Sequence, residues 1–138
     1  MANINAKGFI NPKFVVVNGG AAVDIDTATI ATALASGDTV SFKIPAGTQV
    51  HAVDVQSTGT VACTVNVGYK PANTGSALAA SASYFGAAKA IAAGARLRCD
   101  FAPVTFAEDV ILTLTTTAAG TGTGSLIAIV GANMVGTL

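Results

Sequence analysis

In Gly37-Asp38-Thr39-Val40-Ser41-Phe42-Lys43-Ile44-Pro45-Ala46-Gly47, apolar side chains fall on every second residue until a Pro-Ala-Gly turn breaks the pattern. Val40, Phe42 and Ile44 share one face and Ser41 and Lys43 the other, which is the period-two signature of a half-buried β-strand. Beyond the turn, Thr48 to Gln56 resumes it with Val53 and Val55 inward and Asp54 and Gln56 outward, so the two segments read as a hairpin. Ser57-Thr58-Gly59 then turns the chain into its clearest alternation. Val61, Cys63, Val65 and Val67 face in there, and Thr60, Ala62, Thr64 and Asn66 face out.

The same reading extends in both directions. Upstream, Phe14 to Asn18 is a short valine run ended by Asn18-Gly19-Gly20. In Ala22 to Ser36, Val23 and Ile25 alternate with Asp24 and Asp26 ahead of a Thr/Ala-rich stretch that reads as loop or one short helix. Downstream, Tyr69 to Gly94 is rich in Ala, Ser and Gly and reads as a long connection holding one short strand near Ala82 to Phe85. Arg96 to Phe101 alternates again, with Leu97, Cys99 and Phe101 inward, both arginines outward, and Pro103 as terminator. Glu108-Asp109 opens Val110 to Thr117, and Ala118 to Gly124 reads as a flexible hairpin loop. Leu126 to Val130 is apolar on both faces, as expected of a central strand or one covered by a partner. Seven or eight short strands at roughly ten-residue spacing, without long helices, predict a two-sheet sandwich, either a jelly roll or an immunoglobulin-like fold. No convincing internal repeat supports a propeller or β-helix.

With 138 residues the chain is sized for one core. The predicted organisation is an N-terminal arm and first strand over residues 1–20, followed by a single β-sandwich domain over 21–138. Only 10% of residues are charged, seven basic against seven acidic, although 51% are hydrophobic. An average domain carries about a quarter charged residues, and charged surface groups keep free proteins apart in solution. So sparse a surface is explained most simply if other subunits cover much of it. The balanced charge argues against nucleic acid, which requires a clustered basic excess. The N-terminal stretch lacks a continuous apolar run of signal-peptide length, and the threonines and glycines of the uncharged C-terminal region rule it out as a spanning helix. The expectation is a chain made and kept in the cytoplasm, with no membrane partner.

The residues offer no chemistry. His51 is the single histidine, and no serine in a nucleophile-elbow setting accompanies it. Asp24 and Asp26 would project from one face of a strand, a spacing conceivable for a cation or a glycosidase pair, but with no aromatic sugar platform they read as a solvated face. Cys63 and Cys99 read as two buried thiols rather than a disulfide framework or metal ligands. Gly120-Thr121-Gly122-Thr123-Gly124 lies between two predicted strands with no following lysine, so it reads as a hairpin tip rather than a phosphate loop. No catalytic, cofactor or metal residues are assigned. A carbohydrate-binding module would normally display tryptophan, and this chain has none.

The hairpin-like segment from Gly37 to Val50, the Val53-Asp54-Val55 that follows, the strand ending Thr64-Val65-Asn66-Val67-Gly68-Tyr69, and Glu108-Asp109-Val110-Ile111-Leu112-Thr113-Leu114-Thr115 together resemble the capsid decoration, or cement, proteins of tailed bacteriophages. The similarity runs from Gly37 to Val130 and is carried by turns and strands. The resemblance implies an all-β, jelly-roll-like antiparallel β-sandwich with an extended N-terminal arm. It also implies a homodimer or homotrimer on the outer face of a virion capsid, assembled in the host cytoplasm and bridging copies of the major capsid protein. Phe9, Ile10, Pro12 and Phe14 are apolar enough to anchor an arm, and Met134, Val135 and Leu138 form a C-terminal apolar set with nothing evident to bury them; these seven are the expected interface residues. A head-fibre or tail-fibre domain is the alternative.

Overall fold

A computed structural model of the chain describes residues 3–6 and 21–134. Ten strands follow in chain order: β1 (Asn3–Asn5), β2 (Ala21–Ile30), β3 (Thr39–Ile44), β4 (Thr48–Gly59), β5 (Cys63–Pro71), β6 (Ser81–Ile91), β7 (Arg96–Cys99), β8 (Val104–Phe106), β9 (Val110–Thr116) and β10 (Gly124–Met134). No helix occurs among the described residues, so none is long and apolar enough to cross a membrane. The expected strand Phe14 to Asn18 lies outside them.

The strands form two sheets, ordered β1-β3-β9-β5-β6 and β2-β10-β4-β7, with β8 also paired to β4. Strands β7 and β8 pair with successive parts of β4, at Val53 to Gln56 and at Thr48 to Val50, so they share one position. Setting aside the three-residue β1, which joins β3 in parallel, each sheet then has four positions. The two orders are those of a jelly roll, with two Greek keys folded face to face. The immunoglobulin-like alternative does not fit. Its sheets contain several hairpins between consecutive strands, whereas among the described strands only β5 and β6 are both consecutive and paired.

This topology corrects two local expectations. β3 pairs with β9, and β4 pairs with β10, so the Pro45-Ala46-Gly47 turn carries the chain from one sheet to the other instead of closing a hairpin. The glycine and threonine segment before β10 is likewise an arch between sheets. It is held by Gly120 N donating to the Leu34 carbonyl at 2.7 Å and by reciprocal bonds between Ala62 and Thr121 at 2.9 Å. Period-two alternation specifies a strand and its buried face, but it is silent on which strand lies beside it.

The core lies between the sheets. Val40, Phe42, Ile44, Val65, Val67, Leu112 and Leu114 from one sheet and Ala28, Ile30, Val50, Val53, Val55, Leu126 and Val130 from the other are all buried. An aromatic cluster closes one side. Phe85 of β6 stacks edge-on to Phe101 at 4.6 Å, Tyr69 of β5 meets Phe106 of β8 at 4.9 Å, and the Tyr84 hydroxyl donates to the Ala102 carbonyl at 2.8 Å. Such pairs add roughly 0.5–1.5 kcal/mol each beyond simple burial. Polar side chains tie the loops down. The Thr116 hydroxyl donates to the Ala35 carbonyl at 2.6 Å, and the Asp38 carboxylate accepts from Ala35 N at 2.9 Å, fixing the β2–β3 connection against the end of β9.

Strand β6 replaces most of the predicted connection. Of its eleven residues only Phe85 and Ile91 are buried, because it is an edge strand with an interrupted register. It therefore carries no period-two hydrophobic signal.

Candidate interaction face

The outward surfaces of the two sheets differ. On the β1-β3-β9-β5-β6 sheet the cross-strand rows are polar: Thr39, Thr115 and Asn66 in one, Ser41, Thr113 and Gly68 in another, and Lys43, Ile111 and Lys70 in a third. The lysines flank Ile111, which is 9% exposed, consistent with aliphatic stems covering an apolar neighbour while the ammonium groups stay in water. Outward-facing Thr113 is buried as well, so β9 is buried on both faces although the sequence alternates.

The opposite sheet has a divided face. Leu126, Ala128 and Val130 of β10 point into the core, which turns Ile127 and Ile129 outward. Ile129 lies beside Ile25 of β2, and Gly131 beside Val23. Val23 is 69% exposed and Ile25 59% exposed, the large hydrophobic side chains that stand open among the described residues. Across β4 the face becomes charged: the row Ile25, Ile129, Asp54, Arg98 runs straight over four strands. Arg96 clamps Asp54, with Nε at 3.0 Å and a terminal guanidinium nitrogen at 2.8 Å from the same carboxylate oxygen. Arg98, directly opposite Asp54 in register, is exposed and makes no ion pair or hydrogen bond among the described residues.

The outward placement of Val23 and Ile25 corrects the expected face of β2. Asp26 is 8% exposed and accepts from Thr27 N at 2.9 Å, so it is not part of a solvated face. The physical reason is parity. Asp26, Ala28 and Ile30 occupy even positions and are buried, which in an unbroken strand puts the odd residues Val23 and Ile25 on the outer side. The conflict between apolar odd positions 23 and 25 and apolar even positions 28 and 30, together with the double-sided run from Leu126 to Val130, was the signal that could have located this face.

The expected interface residues Phe9, Ile10, Pro12, Phe14, Val135 and Leu138 lie outside the described residues. Met134 ends β10, with its backbone opposite Thr48. His51 is exposed and sits at an irregularity in the β4–β10 register, its ring near Gly131. Cys63 is buried and Cys99 half-buried, and neither is in a disulfide. Burial, followed by the charge of Asp54, pushes the Cys99 thiol up to about 11, with Asp100 adding to the rise and Lys89 opposing it. No group of three or more His, Cys, Asp or Glu side chains suited to a metal is found among the described residues. An open notch of about 420 Å³ between Ala72–Ala77 and Glu108–Asp109 holds one unpartnered Glu108 carboxylate oxygen, while Asp109 accepts from Ala46 N and faces Lys43 at 3.7 Å.

The outward face of β2 and β10 offers apolar surface that a partner could cover. Covering a fully exposed Val or Ile gains roughly 1.5–3 kcal/mol, so Val23 and Ile25 at their present exposure offer about 2–4 kcal/mol together. Association in solution costs an estimated 4–15 kcal/mol, so this face by itself supports only weak contacts.

No protein-family model matches the sequence, and no curated protein matches it. Among solved structures, the fold is similar to a chain in the capsid of Ralstonia phage GP4, with a TM-score of 0.70 and 17% identity over 99% of this chain and 100% of that one. The likeness is end to end, and at this identity it is a likeness of fold.

Proposed function

We propose that the chain is a non-enzymatic structural virion protein that binds the outer surface of a tailed-phage capsid and cements neighbouring major capsid subunits, as a homodimer or homotrimer assembled in the host cytoplasm. The observation that carries this reading is the full-length jelly-roll likeness to a chain of a phage capsid. The low charge and the open apolar face support it independently. A protein that binds only the assembled lattice stabilises it by mass action, and contacts too weak to hold one pair accumulate when many are presented together. In this reading Phe9, Ile10, Pro12 and Phe14 of the N-terminal segment, and Met134, Val135 and Leu138 at the other end, add further shell contacts.

The test is co-sedimentation of purified protein with expanded, undecorated capsids of its source phage, with light scattering on the free protein. Saturable binding at a fixed ratio to capsid subunits is expected. Removal of the first dozen residues should leave a folded domain that binds shells much more weakly; unchanged binding would discard the arm. A stable free trimer with no affinity for shells would favour a head-fibre or tail-fibre domain instead.

A further inference from the structure

We propose that the outward face of β2 and β10 is the shell-docking surface, and that it takes a protein surface whose apolar patch is bordered by a carboxylate placed to receive Arg98. The inference rests on the capsid-binding reading and names the face that performs it. Three observations carry it. Val23 and Ile25 are the large hydrophobics exposed among the described residues, and they share one face with Ile127 and Ile129, whereas the corresponding face of the other sheet is lined by Thr, Ser, Asn and Lys. Arg96 already has its counter-ion in Asp54, which leaves Arg98 as an exposed cation without a partner on the same face. Arg98 lies two strands from Ile129 in one row, and at a strand spacing of about 4.8 Å this sets the carboxylate roughly 10 Å from the centre of the apolar contact.

The modest apolar exposure selects this occupant over a second copy of the chain: two large hydrophobic side chains standing open are too few for a stable dimer in solution, which needs about 800 Å² from each partner, and suit a contact repeated across a lattice.

Four full-length proteins, the wild type and Ile25→Glu, Arg98→Glu and Lys70→Glu, decide the matter by titration against undecorated shells, with circular dichroism confirming that each is folded. Lys70 is exposed on the opposite sheet and serves as control. The expected result is at least a tenfold loss of affinity for Ile25→Glu and for Arg98→Glu, with Lys70→Glu unchanged. Wild-type binding that persists in both test variants would overturn this face while leaving the capsid reading standing. Absence of wild-type binding would remove both. If the free wild type forms a dimer that Ile25→Glu dissolves, the occupant is a second copy and the proposal is wrong.

Discussion

Among the described residues Ala88 is the non-glycine residue with positive φ, at 50°, and it sits where β6 bulges against β5, its N–H held by the Asn66 side chain at 2.8 Å. An L-residue in this conformation costs roughly 1–2 kcal/mol, part of which glycine would return as greater freedom in the unfolded chain. Ala88→Gly is therefore expected to stabilise the fold by about 0.5–1 kcal/mol, read as a rise in thermal midpoint. At the same scale, the Cys99 thiol titrates higher folded than unfolded, about 11 against an ordinary 9.0. The folded state then holds the proton more tightly, so the thiol's contribution is complete below about pH 9 and is lost as pH climbs through 11. Denaturant melts from pH 8 to 11 should show stability declining, and Cys99→Ala should flatten that decline. A fall of equal steepness in the variant would show that other groups cause it.

The pairing of β5 with β6 depends on a close backbone approach. At Gly68 of β5, an added Cβ would run into the backbone carbonyls of Ser81 and Ala82 at the start of β6. Gly68→Ala should force these strands apart, with a loss of stability of several kcal/mol, measurable by chemical unfolding. The elements also show how far the sequence could be read. β3, β5, β7 and β9 were legible because half-buried strands write their inner face into alternate residues. β6 was not, since an edge strand of Ala, Ser and Gly buries too few side chains to leave a period, and β8 was missed because three residues after Pro103 are too short to show one. The interaction face was half legible. Leu126 to Val130 announced a second covered side, but Val23 and Ile25 pointed to the wrong face until Ala28 and Ile30 outvoted them.

For the molecule as a whole, the jelly roll and its two-sheet core were within reach of the sequence, while the choice of neighbours was not, because arches and hairpins use the same turn residues. That arrangement governs how the chain reaches its native state. Apart from β5 with β6, every described strand waits for a partner distant in sequence, so refolding in milliseconds to seconds is expected by stopped-flow circular dichroism rather than in microseconds. Strands β9 and β10, each an interior strand of its sheet with a partner on both sides, are also the last two of the described strands to be made. A ribosome adding about 5–20 residues per second will have exposed most of the chain before β3 can meet β5, or β2 meet β4, through them. Translation that halts at Asp109 should release a polypeptide with no cooperative melting transition, ready for proteolysis rather than for incorporation as a defective copy.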